Sequence, residues 1–404
     1  MFGIESLPLE TLVEILKKTD GITVGRCRRV CKAWKECIDG TDLLWFEICQ
    51  KEFKYSSKIA KKKSGSERSW YHIYRNLKLW ENITNYERNI REFYKFSLHD
   101  KNHALEIDHN ILPLKDQRGI VLYDMQTLKY IPVAMPEKNC LKIANKDNVT
   151  VILLKPGILI QRTVDNPTHM SEAFFKADDF VLTSDLLYFY NNRQVFKCEL
   201  LTQNLSPNLI IDCEYDIKTI QVDHKTLHIY TDCGKIVNVK RDGITEVKPI
   251  NCPVEWIRQI KHICPINDRN FVCYSRNLFK IETDQYQHLY LDFPPITALF
   301  FYADTVLIGT RAGEILLYRL SSQKRATKPI FEKMATLPEG KFAVQLDICE
   351  RKSGPVIVAS TFFEIYLVEI DFFPQEKEVK PSFPMPKLMM YKRLLRLRDR
   401  LKMN

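Results

Sequence analysis

Three histidines, His99, His103 and His109, have the spacing that comes closest to a metal-binding pattern. His99 and His103 stand at i and i+4, a separation that would place two imidazoles on one face of a helix as zinc ligands. The surrounding sequence is typical of strand and loop, because short apolar runs alternate with Asn, Asp and Pro. We therefore expect no metal site here.

Motifs for catalysis and cofactor binding are missing from the sequence. It contains no Gly-x-Ser-x-Gly, Gly-x-Gly-x-x-Gly, Walker A or His-Glu-x-x-His segment, so the nucleophile, dinucleotide, phosphate and zinc chemistries of those motifs are not predicted. Asp and Glu residues are scattered through turn-like segments, where paired catalytic carboxylates do not stand out. We expect no catalytic residues, no cofactor and no enzymatic activity.

Twelve cysteines are scattered singly and never form a Cys-x-x-Cys pair, which argues against a zinc finger. They are typical of reduced core thiols in a cytoplasmic or nuclear protein. No run of about 18 apolar residues occurs, and the first residues lack a basic segment followed by an apolar one. We therefore expect neither a transmembrane segment nor a secretion signal.

The formal net charge of +10 is concentrated at the two ends of the 404-residue chain. Residues 1–90 hold 17 basic and 12 acidic side chains, and residues 371–404 hold 9 and 4. The region between them is balanced, with 34 of each. A nucleic-acid groove across the main body is thus not supported, since phosphate binding relies on clustered Lys and Arg.

The first fifty residues have the apolar spacing of helices. Side chains at i, i+3, i+4 and i+7 form one buried stripe, namely Leu9, Leu12, Val13 and Leu16. Turn residues at 19–21 and at 41–42 divide the rest into further segments of helical spacing. The pattern predicts a small bundle of three or four helices.

Three short motifs in this bundle go beyond a helical period. In chain order they are Leu7-Pro8, then Val30-Cys31 with Trp34, then Leu44-Trp45, and Leu12 and Ile15 lie between the first two. Residues 1–50 thereby resemble the F-box. The resemblance implies that the segment binds the Skp adaptor protein, and through it a cullin. It assigns adaptor contacts to Leu7, Pro8, Leu12, Ile15, Val30, Cys31, Trp34, Leu44 and Trp45.

The match to the F-box has three departures. Thr19, Gly25 and Arg29 stand where the family more often has Leu, which leaves room for weaker adaptor binding. A unit of about 45 residues cannot easily bury so many large apolar side chains internally. A partner that covers them is therefore expected on physical grounds as well.

Residues 51–92 are predicted to be a helical connector between two domains. Residues 51–68 are polar and include Lys61, Lys62 and Lys63, a pattern that predicts a solvated loop. A nuclear-localisation signal or an acidic partner is the functional alternative for these lysines. Aromatic and apolar residues then recur at near-helical spacing from Trp70 to Trp80, as expected of a helix wedged between domains.

From residue 93 to residue 370 the sequence is typical of strands separated by turns. Residues 231–239 and 310–318 share the frame Thr-x-x-Gly-x-Ile, which indicates a hairpin whose Gly takes positive φ. Weaker copies bring the number of hairpins to seven, centred near residues 117, 156, 192, 233, 276, 312 and 362. Their spacing of roughly 36 to 50 residues is that of propeller blades.

This strand region resembles a degenerate WD-type propeller, most simply one of seven blades. Tyr318 and Arg319 stand where the WD family has Trp and Asp, and no Trp-Asp pair occurs in the chain. Another blade count or an all-β sandwich is the alternative. The predicted fold class is α+β multidomain, with a small helical F-box followed by an all-β propeller.

Together these resemblances imply the substrate receptor of an SCF-type ubiquitin ligase, with the propeller holding a target protein for ubiquitination and degradation. A phosphorylated degron is one possibility, bound by arginines such as Arg162, Arg193, Arg258, Arg276 or Arg311, of which the sequence singles out none. The alternative is an adaptor-bound scaffold that does not direct degradation.

Residues 371–404 are predicted to form a proline-rich linker and a basic amphipathic helix. The apolar stripe of that helix consists of Met390, Leu394, Leu397 and Leu401. Such a helix can contact an anionic membrane surface, an acidic partner or nucleic acid, or it can pack back on the protein.

Overall fold

The fold was analysed in a computed structural model. It describes residues 8–54, 56–65, 68–96, 107, 110–116, 119–135, 140–146, 149–163, 170–183, 185–202, 204–223, 226–240, 243–266, 270–275, 277–283, 286–321 and 330–372. Leu7, the three histidines of the candidate metal site, Arg276 and the predicted tail helix lie outside these residues. The chain divides into two compact units, residues 1–370 and 371–404.

Among the described residues, six α-helices precede the first strand. They are α1 (Leu9–Lys17), α2 (Gly21–Cys27), α3 (Lys32–Gly40), α4 (Asp42–Glu52), α5 (Ser56–Ser64) and α6 (Trp70–Glu81), followed by a 3-10 turn at Ile83–Asn85. In the described part of the chain, no helix is long and apolar enough to cross a membrane.

The turns predicted between the N-terminal helices are confirmed. Asp20 caps α2, since its carboxylate accepts hydrogen bonds from the Thr23 amide at 2.9 Å and the Thr23 hydroxyl at 2.7 Å. Pro8 immediately precedes α1, and its carbonyl accepts the Leu12 amide. Leu12, Leu16 and the α4 residues Leu44 and Trp45 are buried in the resulting bundle.

The polar stretch 51–68 was predicted to be a solvated loop, and that prediction is wrong for most of it. α4 continues to Glu52, and α5 covers Ser56–Ser64. Lys63, predicted to be exposed, is buried. Its partners lie far along the chain, so local polarity did not reveal its position.

The strands lie in seven antiparallel sheets, numbered here as blades in chain order. Blade 1 contains β2 (Ile111–Asp116), β3 (Gly119–Asp124) and β4 (Lys129–Met135). Blade 2 contains β5 (Lys142–Lys146), β6 (Val149–Leu153), β7 (Gly157–Thr163) and β8 (Met170–Lys176). Blade 3 contains β9 (Asp179–Leu182), β10 (Leu186–Asn191), β11 (Gln194–Glu199) and β12 (Pro207–Asp212).

Three further blades follow the same order. Blade 4 contains β13 (Ile217–Asp223), β14 (Thr226–Thr231), β15 (Lys235–Lys240) and β16 (Gly243–Pro249), and the short helix α7 (Val254–Ile257) follows it. Blade 5 contains β17 (His262–Pro265), β18 (Phe271–Tyr274), β19 (Phe279–Glu282) and β20 (Gln287–Tyr290). Blade 6 contains β21 (Ile296–Tyr302), β22 (Thr305–Thr310), β23 (Glu314–Arg319) and β24 (Phe331–Thr336).

Blade 7 combines the two ends of the strand region. β25 (Gln345–Arg351), β26 (Gly354–Ser360) and β27 (Glu364–Asp371) come from its end, and β1 (Glu87–Lys95) from its beginning pairs with β27. The boundary predicted at residues 92 and 93 thus falls within β1. This pairing closes the ring, because the first strand completes the last blade.

The seven-bladed propeller predicted from hairpin spacing is confirmed by these sheets. Each predicted hairpin centre lies between two consecutive strands of one blade, and the glycines of the shared frame have positive φ, +78° at Gly234 and +83° at Gly313. Side chains of neighbouring blades fill the spaces between them. Val151 and Ile160 of blade 2, for example, share a buried cluster with Phe180 and Leu187 of blade 3.

Candidate interaction surfaces

Four apolar side chains of the N-terminal region are exposed to solvent. Ile15, Ile22, Val30 and Leu43 lie within 29 residues of one another and are between 46% and 64% exposed. They belong to α1, α2, the segment before α3, and α4. We call this set the apolar N-terminal surface. Single exposed apolar residues are ordinary on a protein surface, whereas several that form one patch mark an interaction site.

Trp45 is buried inside the bundle of N-terminal helices. Its indole Nε1 donates to the Ile38 carbonyl at 3.1 Å. Its ring also packs against Tyr71 and Tyr74 of α6, with centroids 5.0 and 5.3 Å apart. A buried Trp whose N–H is satisfied fixes the angle between α3, α4 and α6.

Glu52 joins three of the helices at one carboxylate. It accepts hydrogen bonds from the Gly21 amide of α2 at 2.7 Å and from the Tyr74 hydroxyl of α6 at 3.0 Å. The ammonium of Lys78 lies 3.2 Å away. Burial and the neighbouring Glu52 charge raise the pKa of Tyr74, so its phenol remains a hydrogen-bond donor.

α6 is anchored to the propeller by two buried polar side chains. Trp80 donates from Nε1 to the Thr305 hydroxyl at 2.9 Å and packs edge-on against Tyr302. Asn76 donates from Nδ2 to the Glu350 carboxylate at 2.5 Å and to the Arg351 carbonyl at 3.0 Å. These contacts fix α6 against blades 6 and 7.

α5 is held by a buried ion pair with blade 7. The Lys63 ammonium lies 2.9 Å from the Asp347 carboxylate, and both side chains are at most 5% exposed. The same ammonium donates to the Ile107 carbonyl at 2.7 Å and lies 5.0 Å from the Phe300 ring centroid. Phe300 and Asp347 belong to the first strands of blades 6 and 7, so Lys63 links two blades at the inner side of the ring.

The two ends of the propeller therefore differ. Thr305 and Glu350 adjoin turns between the first and second strands of their blades, which mark the helix-bound end. Turns between the second and third strands lie at the other end, because antiparallel strands alternate in direction. We call this the hairpin end.

Two of the five arginines considered for degron binding are already engaged within the protein. Arg162 donates to the carbonyl oxygens of Leu200, at 3.0 Å, and Thr202. Arg193, at the hairpin end, pairs with Asp216 at 2.6 Å. Both guanidinium groups thus already have partners within the protein.

The hairpin end presents two other arginines. Arg258 lines an open cavity of about 460 Å³ together with Lys261, Asn277 and Asp292. Arg311 is exposed and lies over the Phe342 ring, with 5.5 Å from the guanidinium carbon to the ring centroid.

Comparison with protein-family models matches residues 4–51 to the F-box-like domain. The chain carries an F-box-like domain. The matched residues cover α1 to α4 and the whole apolar N-terminal surface, so the domain precedes a seven-bladed propeller in this protein. No curated protein matches the sequence.

Several solved structures are similar to part of this chain. Hsv2 of Kluyveromyces lactis is 14% identical over 64% of this chain and 90% of its own, with a TM-score of 0.44. The CNH domain of AfRom2 is 10% identical over 70% and 99%, with a TM-score of 0.46. A chain of the mitotic checkpoint complex is 9% identical over 70% and 93%, with a TM-score of 0.48. These TM-scores are too low to indicate a function. The propeller is identified by the strand order of its seven sheets.

The predicted adaptor contacts fall into three groups by the exposure of their side chains. Pro8, Ile15 and Val30 are exposed, and Cys31 and Trp34 are half-buried. Leu12, Leu44 and Trp45 are buried within the bundle. Leu7 lies outside the described residues.

Two exposed residues of the F-box-like domain were missed by the sequence analysis. Ile22 follows the cap of α2, and Leu43 immediately precedes Leu44 in α4. One helical position corresponds to about 100° of rotation, so Leu43 faces solvent while Leu44 faces the core. The sequence could have revealed both residues, because each is apolar but lies outside the buried stripe of its helix.

Proposed function

We propose that this protein is the substrate-recognition subunit of an SCF-type ubiquitin ligase. The F-box-like domain binds the Skp adaptor, and through it a cullin, while the propeller binds a target protein for ubiquitination. The observation that carries the proposal is the apolar N-terminal surface, which lies entirely within the residues that match the F-box-like model. A few anchor residues supply most of the binding energy in protein interfaces.

The junction between helices and propeller supports this role. α5 and α6 are fixed to the helix-bound end by Lys63, Asn76 and Trp80. A rigid connection holds a target on the propeller at a constant distance from the adaptor and its associated conjugating enzyme. The contribution of this chain is then proximity, without catalysis of its own. We place its action in the cytoplasm, the nucleus or both.

Adaptor binding is tested by co-purification of the Skp adaptor with the full chain. Combining Trp34→Ala with Pro8→Ala removes two side chains of the predicted interface and should abolish adaptor recovery. Val30→Asp should do the same, because it places a charge in the exposed apolar surface. Leu209→Asp is the matched control, since Leu209 is similarly exposed on β12. Unchanged adaptor recovery with both the double variant and Val30→Asp would exclude this interface.

The degradative role is tested separately from adaptor binding. Partners bound to the full chain are quantified with and without inhibition of the cullin. Accumulation of a bound partner on inhibition, lost with the Trp34→Ala and Pro8→Ala variant, supports a substrate receptor. If the adaptor binds but no partner accumulates, the chain is an adaptor-bound scaffold.

A further inference from the structure

Two phenylalanines and one arginine are neighbours at the hairpin end of blades 6 and 7, and the Phe342 side chain among them is half-buried. The Phe342 and Phe362 rings meet edge to face with centroids 5.7 Å apart. The Arg311 guanidinium lies over the Phe342 ring. Phe362 is 46% exposed and Arg311 is exposed. We call these three residues the aromatic shelf.

The backbone that carries Phe362 is held by a compact hydrogen-bond network. The Thr361 hydroxyl accepts the amide of Glu364 at 2.9 Å and that of Phe363 at 3.3 Å, and it donates to the Glu364 carboxylate at 2.6 Å. The Phe363 carbonyl accepts the Phe96 amide at 2.7 Å. Phe362 is therefore presented on a fixed turn, which lowers the entropic cost of binding.

The other two residues of the shelf sit on loops that are tied together. The Gly313 carbonyl, two residues beyond Arg311, accepts the Leu337 amide at 2.9 Å. Gly313 also lies so close to the loop before Phe342 that an added Cβ would stand 2.5 Å from the Lys341 carbonyl oxygen. The aromatic shelf is thus assembled before any ligand arrives.

The charges around the shelf favour a particular ligand. Lys341 is neutralised by Glu364, with 2.6 Å between ammonium and carboxylate. Among the residues that the structure describes, no carboxylate lies within ion-pair distance of Arg311. One available guanidinium beside two apolar rings matches a singly charged carboxylate next to an apolar side chain. A phosphate group, with nearly twice the charge, usually engages a cluster of arginines.

We propose that the aromatic shelf binds a segment of a partner protein that places an apolar side chain on Phe342 and Phe362 and an Asp or Glu carboxylate on Arg311. This inference rests on the proposed function, since it locates the site at which a target would be held. Aromatic and Arg residues at preorganised positions are the usual binding hot spots of protein surfaces. Recognition needs no phosphorylation.

The probe is a display library of random 16-residue peptides, selected against the immobilised full chain. We expect enriched peptides to carry an apolar residue within about three positions of Asp or Glu. Their Kd should rise at least about tenfold with Phe362→Ala and with Arg311→Glu, as for other hot-spot residues. Changing the peptide carboxylate to Lys should restore binding to the Arg311→Glu variant.

Phe174→Ala is the matched control, because Phe174 is similarly exposed but lies on β8 of blade 2, outside blades 6 and 7. It should leave peptide affinity unchanged. The inference is overturned by an absence of enrichment, by peptides that bind Phe362→Ala and Arg311→Glu as tightly as the original chain, or by more than tenfold tighter binding when phosphoserine replaces the acid. Adaptor recovery is measured on the same variants. Suppose that adaptor recovery and partner accumulation are normal, but that peptide affinity is the same in the Phe362→Ala and Arg311→Glu variants as in the original chain. This result would exclude the aromatic shelf as the binding site without contradicting the proposed function.

Discussion

Glu350 shows how one buried carboxyl links the helices to the propeller. It is almost fully buried beside α6, and its Oε1 has no hydrogen-bond partner among the described residues. Burial raises the pKa of Glu350 from its ordinary value of 4.5 to about 7. The folded chain therefore keeps this proton up to about pH 7, whereas the unfolded chain releases it near pH 4.5.

Stability should consequently fall as pH rises through this window, because the folded state binds more protons than the unfolded state there. Glu350→Gln cannot ionise and should lack this loss. Between pH 5 and pH 8, the original chain should lose roughly 2–3 kcal/mol of unfolding free energy relative to the variant. Denaturant titrations at both pH values measure this difference. The exposed Glu339→Gln change is the control, and an equal pH dependence in all three chains would contradict the assignment.

At the scale of elements, α2 contains two glycines with opposite surroundings. A Cβ added to Gly21 would lie 2.2 Å from the ring of Tyr74, which is buried and bonded to Glu52. A Cβ added to Gly25, one turn later, meets nothing within 4 Å. The first glycine is needed for the close approach of α2 and α6, and the second is not.

Gly21→Ala should therefore destabilise the protein by about 1–3 kcal/mol through overpacking. Gly25→Ala should stabilise it by about 0.5–1 kcal/mol, because Ala has the higher helix propensity. Equilibrium unfolding of the two variants provides the comparison. Similar effects of both substitutions would mean that α2 and α6 do not pack as described.

A second matched pair consists of Gly313, in the turn between β22 and β23, and Gly340, in the loop between β24 and β25. Gly313 and Gly340 both have positive φ, +83° and +73°. Only Gly313 is crowded, since its added Cβ would press on the Lys341 carbonyl. Gly313→Ala should therefore cost at least about 1 kcal/mol more than Gly340→Ala, which has backbone strain alone. Unfolding midpoints test this, and equal losses would show that the blade 6 turn can relax.

The elements set by local sequence were predictable. The Thr-x-x-Gly-x-Ile frame identified hairpins because Gly234 and Gly313 need positive φ. α5 was missed, since the burial of Lys63 depends on Asp347, 284 residues away. The aromatic shelf was missed for the same reason. Phe342 and Phe362 come from different loops, and only the closed ring brings them to Arg311.

At the scale of the whole molecule, the buried pair of Lys63 and Asp347 fixes the helices to the ring. Lys63→Ala leaves the Asp347 carboxylate buried without its cation and should cost about 3 kcal/mol. Lys58→Ala, an exposed change on the same helix, should alter stability by less than about 0.5 kcal/mol. Denaturant unfolding gives the free energies, and amide hydrogen exchange should show faster opening of α5 in the Lys63→Ala variant alone. Equal exchange rates in both variants would show that the Lys63–Asp347 pair does not hold α5 on the propeller.

The pairing of β1 with β27 has a consequence for the order of events during synthesis. About 270 residues separate the two strands, so the ribosome must deliver nearly the whole propeller before its ring can close. Contacts of such long sequence separation form slowly. The F-box-like helices precede β1, so they emerge while blade 7 is still incomplete. During that interval β1 has an unpaired edge, and a chaperone that shields it would protect the nascent protein from aggregation.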